Sequence, residues 1–434
     1  MHRILLSPPG KPITATLAIS GSKSYTNRAL LLAAQAPGAS RLESASMSAD
    51  SDAMVAALRK LGVSITESRQ GSALSLLVEG RGRKLSPYHG AIDVGPAGTT
   101  MRFLTALCAG IPGIDVELRG SQRMHERPIR ELVDALRALG AAIDYLGRDG
   151  CPPLRIRSRE PLKGGRVVMN GSVSSQFISA LLLTAPLHAE PLVVELSGEQ
   201  ISKSYIDMTI QSVRDFGVSI ENDSYRRYSA PAGCSFTPHH YHVEGDASGA
   251  SYLWGLAAVS GGTVTVQNIN PSSAQGDIHF PGLLQRMGCS VKTGDRSITV
   301  SGCPQLRGIE ADMSNMPDTA QTLAVIAAFA QGDTTMTGLS TLRVKETDRI
   351  AALHAELAKA GIASTPGPDF LTVHGGMPHG AQIATYDDHR MAMSFATLAA
   401  VIPGVVIEDP KVVEKSFPDF WSVLESVGIA ASAL

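Results

Sequence analysis

The stretch GSKSYTNRALLLAA, Gly21 to Ala34, opens on small polar residues, carries Lys23 and Arg28, and then becomes an apolar helical run. The layout recurs five more times. GPAGTTMRFLTALCAG starts at Gly95, GSVSSQFISALLLTAPL at Gly171, GDASGASYLWGLAAVSGG at Gly245, DMSNMPDTAQTLAVIAAFAQG at Asp312 and YDDHRMAMSFATLAAVIPG at Tyr386, at separations of 67 to 76 residues. A recurrence of that length marks a repeat architecture. Each apolar run is followed by an amphipathic one closed by a glycine suited to a helix C′ position: Gly62, Gly140, Gly217, Gly288, Gly361 and Gly428. Between them lie strand-like segments such as ALSLLVEG, GTVTVQNI and TTMTG. The pattern predicts six units, each of two helices and about four short strands. The first helix of each unit is nearly uncharged beyond its opening turn and is expected to be buried on all sides, while the second keeps a polar face.

Composition narrows the function classes. The chain has 434 residues, 44% hydrophobic and 18% charged, with a net charge of −2. That length suits more than one core. No basic excess or Lys/Arg block is available to neutralise a nucleic-acid backbone, so nucleic acid is not an expected partner. Five scattered cysteines, Cys108, Cys151, Cys234, Cys289 and Cys303, show neither metal-ligand spacing nor a disulfide framework. No metal is expected. The apolar run in MHRILLSPPGKP is too short for a signal peptide, and no apolar stretch reaches membrane-spanning length. A cytoplasmic protein is the expectation.

Duplication alone accounts for repeats and says nothing about chemistry. The positions of the cations are more telling. Lys23, Arg28, Arg102, Arg127, Arg349, Arg390 and Lys415 all fall at or near expected helix starts, where the helix dipole disfavours positive charge. In VKETDRIAALHAEL, Lys345 and Arg349 are four apart, and on one helix face they would repel unless an anion lay between them. A surface pair between Glu346 and Arg349 is the competing reading, with Asp348 also available to Lys345. SVSSQF (Ser172–Phe177) and SKSY (Ser202–Tyr205) supply hydroxyls and an amide beside helix-start N–H groups, which suits phosphate and carboxylate oxygens or simple N-capping. Asp318 and Glu346, each at the expected start of an apolar helix, are the carboxylates best placed to exchange protons among those cations.

Taken together, GSKSYTNRALLLAA, AGTTMRFLTA, RMHERPIRELVDALR, GSVSSQFISALL, SKSYIDMTI, VEGDASGASY, RVKETDRI, DDHRMAM and KSFPDF closely resemble the 5-enolpyruvylshikimate-3-phosphate synthase family in order and spacing, over nearly the whole chain. The resemblance implies an α/β, two-domain enolpyruvyl transferase fold. It has six βαβαββ repeats, three per domain, arranged as an inside-out α/β barrel with buried helices whose N-termini face an interdomain cleft. Residues 1–20 and 245–434 would form one domain and 21–244 the other, a first strand near Leu5 to Ile19 belonging with the C-terminal half. The implied activity transfers the enolpyruvyl group of phosphoenolpyruvate to the 5-hydroxyl of shikimate 3-phosphate through a tetrahedral intermediate, releasing phosphate without a cofactor. By the same resemblance, shikimate 3-phosphate would be held by Lys23, Ser24, Arg28, Ser174, Ser175, Gln176, Ser202, Tyr205, Asp318 and Lys345. Phosphoenolpyruvate would be held by Lys23, Gly98, Arg127, Gln176, Arg349, Arg390 and Lys415. Asp318 would accept the hydroxyl proton, Glu346 would protonate C3, and Lys23 would assist. The implied protein is a monomer inhibited competitively by glyphosate.

Two departures from the family pattern stand out: Pro96 replaces an Asn and Phe103 a Pro, which bears on the phosphoenolpyruvate loop and on glyphosate sensitivity, while Gly98 is retained. The sister transferase acting on UDP-N-acetylglucosamine usually carries a reactive cysteine in the loop that here reads GSQRMHERP, without one. A repeat protein that binds anions without turnover is the remaining alternative.

Overall fold

The computed structural model describes residues 3–70 and 73–434. Twelve α-helices appear among the described residues, in six inner–outer pairs: α1 (Lys23–Gln35) and α2 (Ala49–Lys60), α3 (Gly98–Ala109) and α4 (Arg130–Ala138), α5 (Ser175–Thr184) and α6 (Lys203–Asp215), α7 (Ala247–Ser260) and α8 (Phe280–Arg286), α9 (Ala320–Ala327) and α10 (Arg349–Lys359), α11 (His389–Ala396) and α12 (Phe420–Ser426). The first member of each pair is buried over nearly its whole length. That agrees with its lack of charge, since leucines such as Leu30, Leu31 and Leu32 are fully inaccessible on every face of α1 and each contributes about 1.5–3 kcal/mol by leaving water. The outer helices show ordinary end chemistry. In α2 the Ser48 side chain accepts the Ser51 N–H, with Asp50 and Asp52 in the first turn and Arg59 and Lys60 in the last. All six closing glycines have φ between +81° and +112°, a left-handed turn that a side chain resists.

The strands repeat the same theme. Each of six four-stranded sheets among the described residues has one parallel pair at an edge followed by two antiparallel pairs. Tyr88–Asp93, α3, Ile114–Arg119, α4, Ala142–Tyr145 and Leu154–Ser158 form one unbroken βαβαββ unit. Three units are completed from a distance. His240–His242 supplies the strand that pairs parallel with Pro37–Ala45, and Thr14–Ala18 pairs parallel with Thr263–Gln267. The segment expected as a single strand near Leu5 to Ile19 is two strands in different sheets, because Arg3–Ser7 inserts between Val405–Glu408 and Ala430–Ala433, antiparallel to both. The intervening Pro8, Pro9, Gly10 and Pro12 explain the split, since proline lacks the ladder donor.

The chain divides into a middle unit, Gly21–Val243, and a terminal unit, Met1–Ser20 with Glu244–Leu434. Each is α/β. The terminal unit's core runs through α7, α9 and α11, with Trp254, Phe395 and Phe420 fully buried.

Candidate active site

In the middle unit the inner helices begin at Lys23, Gly98 and Ser175, and the expected residues gather there. Lys23, the first residue of α1, lies 3.0 Å from Asp50 Oδ2 in the first turn of α2. Spacing in the sequence does not single out this carboxylate, which stands twenty-seven positions after Lys23. Arg28 sits a turn deeper than a helix start and is buried. Its Nε donates to Thr209 Oγ1 (2.8 Å), Nη1 to the Ser24 carbonyl (2.9 Å) and Nη2 to the Tyr205 carbonyl (3.0 Å), while its guanidinium carbon stands 5.5 Å from the Phe103 ring centre. Burial pulls its pKa down to about 10. Arg28 therefore bolts α1 to α6, fixing Ser24 and Tyr205 through their backbones. Phe103, the family departure, packs against that bolt.

Gly98 opens α3 against two guanidinium groups. A Cβ there would lie 2.7 Å from Arg127 Nη1 and 2.9 Å from Arg102 Nη1, so glycine is what lets Arg127 approach the free N–H groups of that helix. Gln176 Nε2 donates to Thr99 Oγ1 at 3.3 Å, tying the starts of α3 and α5. Ser174 caps α5, its Oγ accepting the Gln176 N–H at 3.3 Å, with Ser175 next to it. Ser202 precedes α6 in a left-handed conformation (φ 51°), and its carbonyl accepts the Tyr205 N–H at 3.1 Å.

In the terminal unit, charges converge on one buried side chain, Arg349, the first residue of α10. Its Nη1 donates to Asp318 Oδ1 (3.0 Å), its Nη2 to Glu346 Oε2 (2.9 Å) and its Nε to Asp388 Oδ2 (2.7 Å). Asp318 also receives Arg390 Nη2 at 3.0 Å and stands 3.7 Å from Lys345 Nζ. Lys415 Nζ donates to Glu346 Oε1 at 2.5 Å. Asp388, absent from the sequence-based assignment, caps α11 by accepting the Arg390 N–H at 2.9 Å. The expected residues Asp318, Lys345, Glu346, Arg349, Arg390 and Lys415 are thus joined with Asp388 in one network of four cations and three carboxylates.

Three local expectations need correcting. Lys345 and Arg349 do not share a helix face, because Ser340–Val344 is a 3-10 turn and α10 begins only at Arg349. Glu346 precedes that helix instead of starting it, and its pair with Arg349 is part-buried, the arginine side fully enclosed, not superficial. Asp348 caps α10 through the Ala351 N–H (3.1 Å) and pairs with Arg343 (2.7 Å) instead of Lys345.

Electrostatics set the protonation states. Burial raises the Asp318 pKa, but Arg390, Lys345 and Arg349 outweigh it and hold the carboxyl well below the usual carboxylate range. Asp277 is the opposite case. Burial and the neighbouring Asp318 charge push it up to about 7, against the opposing pull of Arg390 and of Ser248, which donates its hydroxyl proton to the Asp277 carboxylate. No group of three or more His, Cys, Asp or Glu residues capable of holding a metal ion occurs among the described residues. No helix among them is long and apolar enough to cross a membrane.

Comparison with known proteins identifies the family. The family model for EPSP synthase (3-phosphoshikimate 1-carboxyvinyltransferase) matches residues 8–424. A curated 3-phosphoshikimate 1-carboxyvinyltransferase from Escherichia coli (strain SMS-3-5 / SECEC) is 43% identical, covering 99% of this chain and 100% of the relative. One from Laribacter hongkongensis is 42% identical, covering 96% and 98%. An EPSP synthase structure from Acinetobacter baumannii superposes with a TM-score of 0.83 at 26% identity, over 100% of both chains.

Proposed function

The chain belongs to the EPSP synthase family, and from that premise we propose how its residues divide the work of transferring the enolpyruvyl group of phosphoenolpyruvate to shikimate 3-phosphate. The observation that carries the proposal is that Asp318 and Glu346, the two candidate proton carriers, are both hydrogen-bonded to the single guanidinium of Arg349. Each has a further cation, Arg390 for Asp318 and Lys415 for Glu346. A substrate anion competing for Arg349, Arg390 and Lys415 frees both carboxylates at once.

That competition answers a difficulty in the unliganded protein. A carboxyl as acidic as Asp318 is a weak base, but phosphoenolpyruvate drawing Arg349 and Arg390 toward its own charges leaves only Lys345 of the three cations that lower it and raises the Asp318 pKa. Asp318 then takes the proton of the substrate 5-hydroxyl as its oxygen bonds to C2, and Glu346, protonated from solvent once Arg349 and Lys415 turn to the substrate, delivers that proton to C3. In the second step Glu346 recovers the C3 proton, the double bond re-forms and the C2–O bond to phosphate breaks. Charge departing with phosphate is met by preorganised cations. Lys23, Gly98, Arg127 and Gln176 complete the phosphoenolpyruvate set. Lys23, Ser24, Arg28, Ser174, Ser175, Gln176, Ser202, Tyr205, Asp318 and Lys345 serve shikimate 3-phosphate. The reading extends to competitive inhibition by glyphosate and to a monomer acting in the cytoplasm.

Phosphate release from mixtures of phosphoenolpyruvate and shikimate 3-phosphate tests these roles. Asp318→Asn and Glu346→Gln should each lower kcat by about 10²–10⁴-fold, the range of a positioned acid or base. Either variant running at the parent rate overturns its assignment. UDP-N-acetylglucosamine in place of shikimate 3-phosphate should release no phosphate, and release would favour the sister activity.

A further inference from the structure

Glu356 is a carboxylate in the interior of α10, fully buried and outside the set assigned above. Its Oε2 accepts the Ala384 N–H at 3.0 Å and its Oε1 accepts the Tyr386 O–H at 2.6 Å, with Lys359 Nζ 2.9 Å away. Burying a carboxylate is costly unless its lone pairs are satisfied, and here the partners come chiefly from one loop. That loop, residues 384–388, leads directly into α11. It contains two consecutive non-glycine residues in the left-handed region, Tyr386 and Asp387, both at φ 54°, a conformation that persists only where surroundings impose it. Asp388 then turns back to accept Arg349 Nε and to cap α11, where Arg390 sits.

One helix thus holds the loop at two places. Arg349 grips Asp388 at the start of α10, and Glu356, two turns on and so on the same face, grips the loop two and four residues earlier in the chain, at Tyr386 and Ala384. We propose that Glu356 and Tyr386 form a strut whose function is to fix the 384–388 loop, and with it the spacing of Arg349 and Arg390, two of the three arginines assigned to phosphoenolpyruvate. Both are positioning residues, since they act through Asp388. The Tyr386 ring remains partly exposed while its hydroxyl reaches the buried carboxylate. The tie therefore lies at the rim, where releasing it leaves the core intact.

This inference rests on the assignment of Arg349 and Arg390 to phosphoenolpyruvate, and the test separates the two. Steady-state kinetics of the full chain are measured for the parent, Tyr386→Phe, Glu356→Gln and, as a control on the assignment, Arg390→Lys. Tyr386→Phe should raise KM for phosphoenolpyruvate by up to about tenfold, the equivalent of one hydrogen bond to a charged group, and leave KM for shikimate 3-phosphate within about twofold. Glu356→Gln, which keeps the shape but turns one acceptor into a donor, should move the same constant further. A variant that merely lost folded protein would lower the apparent kcat and leave both KM values alone. If Arg390→Lys raises KM for phosphoenolpyruvate while Tyr386→Phe does not, or if Tyr386→Phe moves both KM values equally, the strut is wrong. If Arg390→Lys leaves that KM unchanged, the assignment beneath it has failed instead.

Discussion

Asp277 shows how much a single side chain's surroundings decide. Its pKa of about 7 lies above that of a carboxyl in the unfolded chain, so between about pH 4 and pH 7 the folded state holds a proton that the unfolded state has released. Stability from this group therefore falls as pH rises through that window, the reverse of the usual carboxylate behaviour. Asp277→Asn, which cannot ionise, should stabilise the protein relative to the parent at pH 8, and by on the order of 2–4 kcal/mol more than it does at pH 4. Denaturant unfolding at the two pH values measures the difference, and an effect identical at both would mean that the native carboxyl is not held protonated. Nothing in GDIHF announces this, because the causes are burial in the folded chain and, second to it, the charge of Asp318, forty-one positions away in sequence. The same limit hid Asp50 beside Lys23 and Asp388 beside Arg349. Residue types are legible in a sequence, whereas pairings across a fold are not.

At the scale of elements the sequence was far more open, since helix ends are written locally. The six closing glycines all adopt the left-handed turn that their position after an amphipathic run implied. At Gly361 (φ +81°) a Cβ would also lie 2.7 Å from the His379 ring. Gly282, inside α8, has nothing within 4 Å of the place a Cβ would take. The two should respond with opposite signs: Gly361→Ala should destabilise by at least about 1–2 kcal/mol, and Gly282→Ala should stabilise by about 0.5–1 kcal/mol. Urea midpoints moving the same way would refute the distinction. The one helix start misread was that of α10. The run from Val344 has helical periodicity, yet Asp348 accepts the Ala351 N–H and sets the boundary four residues later, a competition between capping and periodicity that spacing alone does not resolve.

For the molecule as a whole, the six-fold recurrence was readable from 67-to-76-residue spacing, but which strand completes which sheet was not. Arg3–Ser7 and Thr14–Ala18 enter two different sheets of the terminal unit, and only the proline-rich break between them hints at it. Removing residues 430–434 takes away one of the two neighbours of Arg3–Ser7. The expected outcome is faster amide hydrogen exchange in Arg3–Ser7 and Val405–Glu408, with protection unchanged in Pro37–Ala45, whose sheet draws only on the middle unit. Exchange accelerating equally in both units would contradict it. The pairing of Arg3 with Glu408 also bears on how the chain is born. At a synthesis rate of about 5–20 residues per second, the opening strand waits on the order of 20–80 seconds for its partners, during which the middle unit has everything it needs to fold. On the ribosome the Arg3–Ser7 segment therefore stays unpaired for most of translation, and any chaperone that shields it has its target in that strand.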